Sequence, residues 1–143
     1  MLEPRNSADL APRPLESRAV FTGLLVDVAG TLHSELVMYM AAGLVAMLSG
    51  YPVEGTAAFF VFNFLRGLFF TGLGGYMASR TARSLPLRHA LLTGIISLAV
   101  SIFFNFNLDA PGGVLSWPLV LGLLAVVPVA VLGGLLANPE RNL

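Results

Sequence analysis

The stretch GLLVDVAGTLHSELVMYMAAGLVAML, residues 23–48, decides how this chain folds. It is apolar for longer than the roughly 20 residues that cross a hydrocarbon core. Yet it holds Asp27, His33 and Glu35. If the stretch is a membrane helix, those three side chains need partners on other helices or a role of their own.

The rest of the chain supports that reading. Of 143 residues 56% are hydrophobic and 11% are charged, with a mean hydropathy of +0.80. Soluble domains carry about 25% charged residues, so this chain lacks the polar material to cover a globular surface in water. The apolar residues also fall in blocks. Residues 36–48, 57–65, 90–104 and 119–137 contain no Asp, Glu, Lys or Arg. Gly and Pro punctuate the gaps: SGYPVEG (49–55), SRTARSLPLRH (79–89) and NFNLDAPGG (105–113). The expected fold is an all-α bundle of four transmembrane helices near 20–49, 55–80, 86–106 and 114–137, within a membrane domain at 19–138. Ser84 is placed to cap the third helix, with Pro86 in its first turn, where a missing N–H matters little.

The N-terminal segment MLEPRNSADLAPRPLESR mixes prolines, acids and arginines. It lacks the basic, then compactly apolar, order of a secretory signal. Residues 1–18 are expected to be a flexible, retained tail, and 139–143 a short C-terminal one. The basic residues sort by loop. Arg5, Arg13 and Arg18 lie in the first tail, Arg80, Arg83 and Arg88 in the middle loop, and Arg141 at the C-terminus, whereas the other two loops hold only Glu54 and Asp109. Arginine-bearing loops stay on the cytoplasmic side, which puts both termini in the cytoplasm. Tyr51, Phe104, Phe106 and Trp117 would form an aromatic belt at the opposite boundary.

Composition excludes several kinds of chemistry. There is no cysteine, hence no disulfide, thiolate metal site or cysteine nucleophile. A formal net charge of zero leaves no basic footprint for a nucleic acid. VDVAGTL (26–32) resembles the first motif of haloacid-dehalogenase-type phosphatases, with Asp27 as the nucleophile. The resemblance ends there. The second acid of that motif is replaced by Ala29, the chain has no lysine, and the later acidic magnesium-holding motif is missing.

Read as a helix, the same residues make structural sense. At about 100° per residue, Gly23, Asp27, Gly30, Thr31, Ser34 and Met38 form one stripe, with Glu35 at its edge and His33 about 120° to the other side. In the second helix Asn63, Gly67, Thr71, Gly75 and Ser79 recur every four residues, widened by Gly74 and Ala78, and Arg66 flanks them. Small residues so spaced let membrane helices approach closely. This places Gly67 and Gly75 alike on a packed face, with Phe59, Phe62 and Phe69 on the opposite side. Gly94, Ser97, Ser101 and Asn105 make a similar stripe in the third helix. In the fourth, Pro128 is a candidate kink, and Gly133, Gly134 and Ala137 permit close approach.

Arg66 is the residue that most needs a partner, because a charge near the bilayer centre costs about 2.5–3.5 kcal/mol on insertion scales. Counting about 1.5 Å per residue from the inner ends puts Arg66 about 20 Å up, Asp27 about 12 Å, His33 about 21 Å and Glu35 about 24 Å. Arg66 is therefore expected to pair with Glu35 first and Asp27 second, in a polar network of Asp27, His33, Glu35, Asn63 and Arg66.

GGYMASRTARSLPLRHALLTG (74–94), preceded by LLVDVAGTL, resembles small four-span bacterial inner-membrane proteins of uncharacterised function. The shared shape is Gly-Gly-Tyr-x-Ala-x-Arg closing helix two, then a proline and a histidine opening helix three. The resemblance implies a multi-pass protein of the bacterial inner membrane and no particular activity. Small multidrug-resistance transporters are similar in layout, with an embedded acid in helix one that Glu35 or Asp27 mimics. The aromatic pattern around that acid is missing here, and the loop charges are strongly biased.

The expected function is that of a structural or accessory membrane protein without enzymatic activity, cofactor or metal. Its expected partners are the lipid bilayer and either further copies of itself or another membrane protein. The alternative is a small transporter or channel subunit that uses Asp27 or Glu35 with Arg66.

Overall fold

A computed structural model of the chain describes residues 15–105 and 117–137. Over these residues it contains four helices and no strand: α1 (Ser17–Ser49), α2 (Ala57–Thr81), α3 (Pro86–Phe104) and α4 (Trp117–Ala137). Each is long and apolar enough to cross a membrane, so the chain has the architecture of a four-helix, multi-pass membrane protein. Most of the expected tail at 1–18, most of the gap at 105–113, and the C-terminal tail at 139–143 fall outside the described residues, as does Phe106. The helix α1 starts at Ser17, inside the expected tail.

Local chemistry sets the helix ends. Gly50 closes α1 at φ 75°, a left-handed conformation that glycine adopts without a Cβ penalty, and its N–H returns to the Ala46 carbonyl. Thr56 caps α2, its side chain accepting from the Phe59 N–H at 3.2 Å. The start of α3 differs from expectation. Ser84 does not cap it. Leu85 occupies the cap position at φ 50° with no side-chain hydrogen bond, and Pro86 opens the helix. A residue ahead of proline is driven out of the right-handed helical region, so the helix cannot extend back towards Ser84. Pro128 lies inside α4, which continues through it.

The packing is a diamond. The helix α2 touches the other three, while α1 and α4 sit at opposite corners with α2 and α3 between them. Sequential helices run antiparallel: Gly23 lies against Gly74 and Ala78, Gly30 against Phe70, and Tyr39 against Phe59. Backbones meet most closely towards the end that carries Arg80, Arg83 and Arg88. A Cβ added at Gly75 would collide with the Ala130 backbone, and one at Gly133 with the Gly72 backbone. At the other end α1 stands largely alone. Of its residues 36–48 only Ala42 is buried.

The arginine-bearing end is latched by groups the sequence does not flag. His89 is fully buried. Its Nε2 accepts the Glu16 N–H at 2.8 Å, and its Nδ1 lies 3.0 Å from the Leu85 carbonyl, which assigns the proton to Nδ1. The Glu16 carboxylate in turn accepts the Arg83 N–H at 2.9 Å. One imidazole thus ties the first turn of α1 to the turn between α2 and α3, satisfying a helix-terminal N–H that would otherwise lack a partner.

Candidate functional site

The ionisable residues of the apolar helices separate into two clusters and one outlier. The first cluster is built on Arg66, halfway along α2. Its guanidinium donates from Nη1 to the Thr31 carbonyl and the Ser34 hydroxyl, and from Nη2 to the Asn63 side-chain oxygen. Nη2 also lies 3.8 Å from the Glu35 carboxylate. The arginine side chain is only 9% exposed and that of Glu35 37%. Asn63 and Arg66 are three apart on α2, and Thr31, Ser34 and Glu35 lie on one turn of α1, so helical spacing alone brings each set to one side. The Arg66 Nε–H finds no acceptor among the described residues. Neutral oxygens at hydrogen-bonding distance hold the arginine, and the carboxylate adds charge compensation from further away.

The second cluster surrounds Asp27, which is 5% exposed. Its carboxylate accepts from the Thr71 hydroxyl of α2 at 3.1 Å; the buried Ser97 hydroxyl of α3 stands near it but makes no hydrogen bond. Asp27 shares no partner with Arg66, so the second of the two expected pairings does not form. Asp27 is drawn into the three-helix junction, where Gly74 lets α1 and α2 close together. Sequence reasoning did not find Ser97 as a neighbour of this carboxylate. Its place on a stripe of small residues was legible, but the opposing residue of α1 was not.

A buried carboxylate held by a hydroxyl should be sensitive to its loss. Hydrogen bonds to charged groups contribute about 1.5–3 kcal/mol. Thr71→Val is therefore expected to lower folding stability by about that amount, as read from denaturant unfolding in detergent. An unchanged midpoint would remove the Thr71 contact from the account.

The outlier is His33. It is exposed on α1 and makes no hydrogen bond or ion pair with the described residues. It belongs to neither cluster, because its position on the helix turns it about 120° from the packed stripe. The small-residue face of α2 also needs correction. Thr71, Gly75 and Ser79 are buried as expected, but nothing lies within 4 Å of a Cβ placed on Gly67. Phe62 and Phe69 are exposed, on the side expected for them. Among the described residues an open hollow lies at the arginine-bearing end, lined by Glu16, Ser17, Arg18, Thr81 and Arg83. Among the described residues no group of three His, Asp or Glu side chains is placed to hold a metal ion.

No family model, curated protein or solved structure matches the chain.

Proposed function

We propose that this chain is a small accessory protein of the bacterial inner membrane that packs with itself or with another membrane protein and catalyses no reaction. The observation that carries this reading is how the charged groups are held. Arg66 is tied to three neutral oxygens and compensated by Glu35. Asp27 is enclosed at a junction where glycines bring the backbones together. Both arrangements fix helix register, which is the best attested role for polar groups inside a helical interface. The resemblance of GGYMASR and LPLRHA to small four-span inner-membrane proteins points the same way.

The orientation follows from charge. Arg18, Arg80, Arg83 and Arg88 all lie at one end of the bundle, and that end is cytoplasmic by the positive-inside rule. Reporter fusions at residue 84 and at the C-terminus should both report cytoplasm, and a tag at residue 110 should report the outside. A cytoplasmic residue 110 would overturn the orientation and the four-span arrangement together.

A second reading, a small transporter or channel subunit, rests on one observation: the Asp27 carboxylate accepts from the Thr71 hydroxyl and has no ion-pair partner among the described residues. The experiment that separates the two is flux into proteoliposomes under a pH gradient or a membrane potential. The accessory reading expects the same leak as empty vesicles. Flux that disappears in Asp27→Asn would replace it with the transporter reading.

A further inference from the structure

The unexplained residue of the bundle is His33. It lies on the turn of α1 that reaches Arg66, hence at the same depth, but it faces away from every other helix and is exposed. In hydrocarbon an imidazole with no partner is unfavourable, and intramembrane ionisable residues turn towards protein or water. Around it runs a regular pattern. Val26, Ala29, His33, Leu36, Met40 and Gly43 are spaced alternately three and four residues apart. Such a seam keeps one side of a helix against a partner helix in a left-handed pair. From Ala29 onward every member is exposed. Leu36 is 60% and Met40 68% exposed, and nothing lies within 4 Å of a Cβ placed on Gly43. The seam is centred about 140° around α1 from the stripe that packs on α2, so a helix could occupy it without disturbing the bundle.

Length supports the same conclusion. The 33 residues of α1 span about 50 Å, against about 28 Å for the 19 of α3. Among the described residues, its outer half thus has no helix long enough to cover it from the α3 side.

We infer that the exposed face of α1 is the docking surface for a second copy of this chain, with α1 pairing on α1 about a two-fold axis near His33. The occupant is chosen by self-complementarity. Uncharged imidazole carries one donor and one acceptor, so one His33 can donate to the bare nitrogen of the other across the axis, giving each ring a partner from the same patch on the second copy, as an isologous interface requires. Small Ala29 and Gly43 on either side allow close approach. This rests on the accessory reading above and specifies the partner within it.

Because the chain has no cysteine, single-cysteine variants report the interface cleanly. In native membranes Ala29→Cys and Met40→Cys should form disulfide-linked dimers on mild oxidation. Val45→Cys, exposed on α1 but turned about 120° from His33, should not. In liposomes, energy transfer between labelled copies should show an association that His33→Leu weakens about three- to fifteen-fold, the range expected for one interhelical hydrogen bond in lipid. His33→Asn, which keeps a donor and an acceptor, should retain it. Absence of energy transfer at every protein-to-lipid ratio would overturn the second copy as occupant. Cross-linking through Val45→Cys as strong as through Met40→Cys would overturn the seam. Neither result depends on the flux assay, so a chain that dimerises as described yet conducts ions would sink the accessory reading alone.

Discussion

Gly75→Ala is expected to be among the most damaging single-methyl additions in the bundle, and Gly67→Ala, two turns away on the same helix, to be harmless. Alanine is favoured over glycine in a helix by about 1 kcal/mol, so both changes begin with a gain. Steric contact decides the sign. At Gly67 the added methyl meets nothing within 4 Å, and the change should be neutral or mildly stabilising. At Gly75 the methyl runs into the carbonyl and Cα of Ala130 on α4. That obstacle is backbone, which cannot swing aside as a side chain can. Overpacking typically costs about 1–3 kcal/mol and occasionally more, and here α2 and α4 must separate along the helix to relieve it. Gly133→Ala, which meets the Gly72 backbone from the other side of the same contact, should behave alike. Denaturant unfolding of the three variants in detergent measures the contrast. A Gly67→Ala variant as unstable as Gly75→Ala would mean that the packed face of α2 has been assigned wrongly.

That contrast also marks how far the sequence could be read. The four helices were legible because uncharged blocks long enough to cross lipid are separated by Gly and Pro, and their ends shifted by only a few residues. The stripe of α1 was legible too: Gly23 and Asp27 are buried, and Thr31 and Ser34 meet α2. The stripe of α2 misled in its outer half for a geometric reason. Burial depends on depth as well as on face. Gly67 lies only about 20° around the helix from buried Gly74, yet at its level nothing comes within 4 Å of an added Cβ. Counting residues for depth brought Arg66 to the level of Glu35. It did not separate Asp27 into its own cluster, because that depends on where α3 places Ser97, and a sequence stripe does not say which helix it meets. The latch at His89 left no local signal at all. Its partner, the Glu16 N–H, is distant in the chain and is an ordinary backbone group.

The arginine cluster is the other place where a large effect is expected, and the geometry predicts an order among the variants. Arg66→Ala leaves the Glu35 carboxylate at mid-helix depth with no cation beside it, while Thr31, Ser34 and Asn63 lose only neutral bonds. A charge left without its partner near the centre of a membrane helix costs about 2.5–3.5 kcal/mol on insertion scales. Glu35→Ala should cost less. The guanidinium keeps its three neutral oxygens, and the carboxylate it loses is 3.8 Å away and partly exposed. Glu35→Gln should be the mildest of the three, since it keeps the side chain's size and a polar oxygen near the guanidinium. Removing both charges with apolar residues of similar size, Arg66→Met with Glu35→Leu, should recover much of the folded protein in membranes, because no uncompensated charge is left behind. Asp27 provides the control. It shares no partner with Arg66, so Asp27→Asn combined with Arg66→Ala should be additive within about 0.5 kcal/mol. The amount of folded protein in isolated membranes and its unfolding midpoint in detergent follow the whole series. Strictly additive losses for Arg66→Met with Glu35→Leu would show that the two side chains are neighbours without being a pair, and the neutral oxygens of Thr31, Ser34 and Asn63 would then be the arginine's whole support.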